Sequence, residues 1–170
     1  MLNIYLPPPP GAVRYYRSEN VEGDAPCLRL DSSYEYALHE SNDFQGIFEI
    51  VKLSVKECLG TERSGLTLHL RDLPIEVGAF HKIGTDIIVL NRRLIEIALR
   101  SGASMAEIKA LIFSVLLHEY LHSLGIYGEE EVRLLTYRIS RRLFGEDHPV
   151  TILARMGPWA VLNRRSNNLT

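Results

Sequence analysis

The stretch from Ser104 to Gly125 limits the fold more than any other part of the chain, because both of its ends carry helix signals. Ser104 is followed three residues later by Glu107, a pair that predicts a capping box in the first turn of a helix. Gly125 marks the other end, and between these signals apolar residues recur at helical spacing, at Ile108, Leu111, Ile112 and Val115. The sequence therefore predicts a long helix with an apolar face that packs against other elements.

Two histidines continue this apolar face near the end of the predicted helix. His118 and His122 are four residues apart, so both imidazole rings lie on one side of the helix and can bind one tetrahedral zinc ion. Glu119 is rotated by about 100 degrees from His118, where its carboxylate can reach a water at the metal. The alternative is a core helix whose histidines form ordinary hydrogen bonds. Because a glutamate is costly to bury unless it is used or paired, the metal site with Glu119 as general base is favoured.

The other patterns predict an α+β domain. Strands are predicted at 34–38, from the alternation of tyrosine and leucine with other residues, and at 66–73. Residues 78–91 predict a hairpin that turns near Gly84, with its first arm at a sheet edge and its second arm buried on both faces. Further helices are predicted at 44–59, 92–102 and 128–145.

Composition along the chain predicts three segments. Residues 1–26, which include the prolines from Pro7 to Pro10, predict an extended arm without a core of its own. Residues 27–145 form the predicted domain. Residues 146–170 predict a C-terminal tail that is apolar enough to pack on the domain, where it either completes the core or occupies the active-site cleft.

Charge and cysteine content limit the partners and the compartment. The formal net charge is −2, so no nucleic-acid partner is expected. Cys27 and Cys58 are far apart, which predicts two buried thiols rather than a disulfide framework or a sulfur-ligated metal. No segment reaches the roughly 18 apolar residues of a membrane span, and the N-terminus lacks the basic start of a secretory signal. A cytoplasmic protein without a membrane span is therefore expected.

The order of these elements and the H-E-x-x-H motif from His118 to His122 make residues 34–144 resemble the zincin metallopeptidases. Gly128 stands where the metzincin branch has its third histidine, whereas the acidic start of the helix at 128–145 resembles the glutamate helix of the gluzincin branch. The chain looks most like the minimal gluzincins of archaea. The resemblance implies a zincin-like fold, with a small twisted mixed sheet, a backing helix, an active-site helix and a glutamate helix. It also implies a Zn²⁺ cofactor and hydrolysis of peptide bonds.

Three successive acids are candidates for the third zinc ligand that the resemblance implies. An antiparallel return helix would pass the zinc about one turn from its own start, which favours Glu131. Glu129 is the alternative, since gluzincin ligands are often followed three residues later by a small apolar residue, here Val132. Against Glu129, Arg133 stands where the family usually has an acid or an amide. Glu130 lies opposite the apolar face and is the weakest candidate.

The predicted function is that of a zinc endopeptidase or oligopeptidase that acts on peptides or unstructured proteins. The substrate would bind as an added strand along the edge of the hairpin. A donor that steadies the oxyanion is also needed, and the candidates are Tyr127, Tyr137, Arg138 and His148. The alternative function is a latent or non-catalytic zinc-binding fold that serves as an interaction module, with its cleft occupied by the C-terminal tail.

Overall fold

The computed structural model describes residues 32–163, so the predicted arm at 1–26 and Cys27 lie outside the described residues. Helices and a small sheet make up this range, and the predicted α+β class is confirmed. The elements are, in chain order, α1 (Ser32–Glu40), α2 (Phe44–Leu59), β1 (Thr67–Arg71), β2 (Ala79–His81), β3 (Ile87–Asn91), α3 (Arg92–Arg100), α4 (Met105–Ser123), α5 (Glu129–Phe144), α6 (Pro149–Met156) and α7 (Ala160–Asn163). The zincin-like arrangement of these elements stays a prediction.

The sheet is mixed and has the strand order β1-β3-β2. Strand β3 pairs in parallel with β1 and antiparallel with β2, so β2 is an edge strand and the predicted hairpin is confirmed. The central position of β3 explains its continuous apolar run, because Ile88 and Leu90 are fully buried and Val89 on the other face is also buried. The hairpin turns at Gly84, whose φ of 79° is a conformation that favours glycine.

Helix α4 is the centre of the molecule. Every residue from Ala110 to Leu117 is buried, because α2, α5, α6 and the sheet all pack around this part of the helix. The sequence predicted burial of one face, whereas the structure buries almost the whole circumference. A helix that is surrounded in this way holds the side chains at its end in fixed positions.

The strand predicted at 34–38 is wrong, since these residues belong to helix α1. Tyr34 and Leu38 are both buried, and a spacing of four residues suits one face of a helix as well as one face of a strand. Tyr36 decides between the two periods. It would share the buried face of a strand, but in the helix it points outward and is 68% exposed.

The C-terminal segment completes the core beside the first turns of α4. Val150, Leu153 and Val161 are buried in α6 and α7, and Leu153 and Val161 lie beside Glu107. Glu107 precedes His118 by 11 residues, which is about 16 Å along a helix. The described part of the tail therefore packs at the opposite end of α4 from the histidines, and residues 164–170 lie outside the described range.

No helix in the range 32–163 is both long and apolar enough to cross a membrane.

Candidate metal and catalytic site

The two histidines of the motif lie on the last turns of α4, and the predicted capping box starts this helix. The Ser104 side chain accepts a hydrogen bond from the backbone N–H of Glu107, and the Glu107 carboxylate accepts one from the backbone N–H of Ser104. The helix ends at Ser123, and Gly125 follows with a φ of 91° that reverses the chain direction. Both predicted ends of the helix are thus confirmed.

The turn between α4 and α5 also selects the tautomer of His122. Nδ1 of His122 lies 2.8 Å from the carbonyl oxygen of Ile126, and a carbonyl can only accept, so Nδ1 carries the proton. In the neutral ring the lone pair is then on Nε2. This is the tautomer that binds a metal through Nε2 while the other nitrogen is held by the backbone.

Three potential ligand atoms converge at the start of α5. Nε2 of His118 and Nε2 of His122 are 3.2 Å apart. Glu129 approaches both rings, with Oε1 at 3.1 Å from Nε2 of His122 and Oε2 at 3.4 Å from Nε2 of His118. Among the described residues, this is the group of histidine and acidic side chains that can hold a metal ion.

The donor set suits a transition metal such as zinc. Zinc binds imidazole nitrogen and carboxylate oxygen at roughly 2.0–2.2 Å, and tetrahedral angles then place neighbouring donors about 3.3 Å apart. The three separations in the cluster, 3.2, 3.1 and 3.4 Å, lie close to this value. Burial and the neighbouring His122 lower the pKa of His118, so its ring is also kept in the neutral form that a metal needs.

The acid in this cluster is Glu129, whereas the sequence favoured Glu131 as the third zinc ligand. Helix α5 already begins at Glu129, and the tight turn after Ser123 brings this first residue level with the histidines. Helix α5 therefore does not have to run for a full turn before one of its acids reaches the two histidines. Glu131 is exposed, and its carboxylate folds back towards Gly128, where an added Cβ would lie 3.7 Å from Oε2. Glu130 is likewise exposed and outside the cluster.

Glu119 lies next to the cluster but is held by the sheet. Its Oε2 accepts a hydrogen bond of 2.8 Å from the backbone N–H of His81 on edge strand β2. Burial raises the pKa of Glu119 to about 7, although the bond from His81 acts in the opposite direction. A carboxyl group with a pKa near neutrality is suited to both accepting and returning a proton.

A close approach of β2 to α4 makes this hydrogen bond possible. Gly78 precedes the strand, and a Cβ at this position would lie only 3.1 Å from Cγ1 of Val115 on α4. Glycine thus allows the strand to run directly against the active-site helix. The sequence contains this glycine, but it does not show that Val115 lies next to it in the fold.

The outer edge of β2 is lined by backbone groups that do not pair with β3. The Asn91 N–H donates to the Gly78 carbonyl over 2.9 Å, and the Lys82 N–H donates to the Ile87 carbonyl over 3.3 Å. Since backbone groups alternate in direction along a strand, those of Ala79 and His81 point away from β3. The His81 N–H meets Glu119, which confirms this direction.

Arg63 ties the hairpin to the end of α4. Its guanidinium donates to the carbonyl oxygen of Ser123 over 2.6 Å, to that of Thr85 over 3.1 Å and to Oδ1 of Asp86 over 2.8 Å. Its backbone N–H also donates to the Tyr120 hydroxyl over 2.9 Å. Arg63 therefore sets the distance between the edge strand and the active-site helix. Sequence reasoning missed it, because it stands in a loop far from the motif.

The His81 side chain also lies close to the site. Its Nε2 donates to the Thr85 carbonyl over 3.0 Å, and Nδ1 is buried without a hydrogen-bond partner in the described range. Burial lowers the pKa of His81, and the charges of Arg63 and His122 lower it further. The ring is thus kept neutral.

The four candidates for an oxyanion donor differ in position. Tyr137 donates to the carboxylate of Glu146. His148 caps α6 through Nδ1 and stacks on the Phe144 ring, so its ring already has a structural role. Arg138 is exposed on α5, nine residues after Glu129. Tyr127 lies in the turn before α5 and is 50% exposed, which makes it the candidate nearest to the cluster along the chain.

Comparison of the chain with models of protein families, with curated proteins and with solved structures found no match. The functional argument therefore depends on the geometry of the site.

Proposed function

We propose that the protein is a zinc-dependent peptidase. The observation that carries this proposal is the convergence of two imidazole nitrogens and a carboxylate within 3.1–3.4 Å of one another, beside a glutamate held by an edge strand. His118, His122 and Glu129 would hold the metal. Zinc in such a ligand set acts as a Lewis acid that lowers the pKa of water and polarises a carbonyl oxygen.

The role of Glu119 is that of the general base. Its Oε2 is held by the His81 N–H, which leaves Oε1 to accept a proton from the attacking water. The same carboxyl group then gives the proton to the leaving amine, so that one residue serves both halves of the reaction. A pKa of about 7 balances these two transfers near neutral pH.

The edge of β2 supports binding of an extended peptide. The outward carbonyls of Ala79 and His81 and the outward N–H of Ala79 can pair with the backbone of an added strand. The His81 N–H already binds Glu119, so the peptide would be paired on both sides of this point. This arrangement would bring the scissile bond next to the general base.

The alternative is a zinc-binding fold without catalysis that acts as an interaction module. In this alternative, the sequence pattern predicts that the C-terminal tail occupies the cleft. The described part of the tail packs beside Glu107 at the other end of α4, so this occupancy would need residues 164–170.

Metal content and hydrolysis of an unstructured protein such as casein test the proposal together. The full-length chain should bind about one zinc, and His118→Ala should lose most of it. Glu119→Gln should retain the zinc and lose hydrolysis by roughly 100-fold or more. Absence of zinc from the unsubstituted chain would refute the metal site. Stoichiometric zinc without hydrolysis would instead support the interaction module.

A further inference from the structure

Arg133 is an exposed cation on the helix that also carries Glu129. It follows Glu129 by four residues on α5, and side chains at this spacing lie on the same side of a helix. The Glu129 carboxylate contacts both histidines, so Arg133 is placed at the rim of the same site.

The acids around Arg133 do not neutralise it. Glu129 and Glu130 precede it by one turn, yet neither forms an ion pair with it, because both Glu129 oxygens face the histidine rings. Within residues 32–163 the exposed side chain of Arg133 has no hydrogen bond or ion pair. Arg141 on the same helix and Arg155 on α6, by contrast, both bind Glu146.

We propose that Arg133 binds a carboxylate of the substrate, so that the site prefers peptides with an acidic side chain or a free C-terminus near the scissile bond. This inference rests on the proposed function and names the substrate class of the same site. A guanidinium suits this role because its planar donors match the two oxygens of a carboxylate and because it is weakly hydrated. A bound metal ion would add to the attraction for an anion.

Binding of matched peptides tests the inference without hydrolysis. The full-length chain with Glu119→Gln would be titrated with acetyl-Ala-Glu-Ala amide and acetyl-Ala-Gln-Ala amide, with and without zinc. A second pair, acetyl-Ala-Ala-Ala with a free or an amidated C-terminus, distinguishes a side-chain carboxylate from a terminal one. The acidic member of at least one pair should bind about tenfold more tightly, as expected for a charge-assisted hydrogen-bonded pair.

Arg133→Gln should bring this ratio close to one, and Arg133→Lys should retain part of it. Arg142→Gln removes the same charge from the far end of the same helix and should leave the ratio unchanged. The inference is overturned if neither pair shows a preference or if the preference survives in Arg133→Gln. Equal weakening of all four peptides in Arg133→Gln would also overturn it. The ratio of peptide affinities can be measured without zinc. A failure to bind zinc would therefore refute the proposed function, whereas a loss of the peptide preference would refute only the role of Arg133.

Discussion

At the residue scale, the candidate site depends on which groups carry a proton. The bond from Nδ1 to the Ile126 carbonyl holds the Nδ1 proton of His122, and burial is the main cause of the lowered pKa of His118. Burial has the opposite effect on Glu119, whose pKa it raises to about 7. The site thus places two imidazole nitrogens beside an acid whose pKa lies near neutrality.

The identity of the acidic ligand can be tested by a matched pair of substitutions. Glu129→Gln should weaken zinc binding by tenfold or more, because it removes the negative charge of the proposed carboxylate ligand. Glu131→Gln changes the charge by the same amount two residues further on and should leave the affinity almost unchanged. Competition with a chromophoric chelator measures both. A larger loss in Glu131→Gln would restore the assignment expected from the sequence.

At the element scale, the site forms where α4 packs against the hairpin that carries β2. Arg63 joins the two by donating to the Ser123 carbonyl on one side and to Thr85 and Asp86 on the other. The His81 N–H then reaches Glu119. Neither element by itself would hold the Glu119 carboxylate in this position.

Replacement of Arg63 tests this connection. Arg63→Lys keeps the charge but loses the planar fork, so it should lower the free energy of unfolding by about 1–3 kcal/mol. Urea denaturation measures the change. Arg92→Lys is the control, since Arg92 also forms a forked pair, with Asp72, but at the surface. It should change stability very little. Equal effects of the two substitutions would contradict the role of Arg63.

His148 makes the start of α6 sensitive to pH. Its Nδ1 accepts the Val150 N–H over 3.2 Å, and burial lowers the pKa of His148 below the ordinary value of about 6.5. The folded state then binds fewer protons than the unfolded state, so this contribution to stability is complete above about pH 6.5. It is lost as the pH falls through the lower pKa of the folded state.

The substitution His148→Asn isolates this effect, because asparagine also caps a helix but does not titrate. The stability of the unsubstituted protein relative to the variant should decrease between pH 7.5 and pH 5. Urea denaturation across this range measures the difference, and the other histidines cancel because both proteins contain them. Parallel pH profiles would show that the cap does not depend on the neutral ring.

At the scale of the whole molecule, the C-terminal helices belong to the core. The sequence left open whether the C-terminal tail completes the core or occupies the cleft. The structure buries Val150 and Leu153 of α6 and Val161 of α7. Each such side chain contributes roughly 1.5–3 kcal/mol, and a domain of this size is stable by only roughly 5–15 kcal/mol.

Two truncations separate the core from any inhibitory tail. Removal of residues 146–170 should unfold the protein or lower its melting temperature steeply, as followed by circular dichroism. Removal of residues 164–170 alone should retain the described core. If removal of residues 164–170 alone increases hydrolysis, these residues restrict access of the substrate to the site. A stable protein after the longer truncation would contradict the role of α6 and α7 in the core.

The local signals in the sequence determined much of the fold. The capping box at Ser104, the histidine pair on α4, the glycine that ends the helix and the buried run of β3 all follow from interactions between near neighbours in the chain. The wrong prediction of a strand at 34–38 also comes from reliance on local signals. A short segment with apolar residues four apart fits two periods, and only packing against the core chose the helix.

The tertiary structure alone decided which distant groups meet. The selection of Glu129 over Glu131 depends on how tightly the chain reverses after Ser123, and a shift of a few ångströms changes the acid that reaches the histidines. The contacts of Arg63 and the bond from His81 to Glu119 join residues separated by 22 to 60 positions. Pattern analysis reports the direction of side chains within one element, whereas these contacts depend on the distance and angle between elements, which are set by the packing of the whole core.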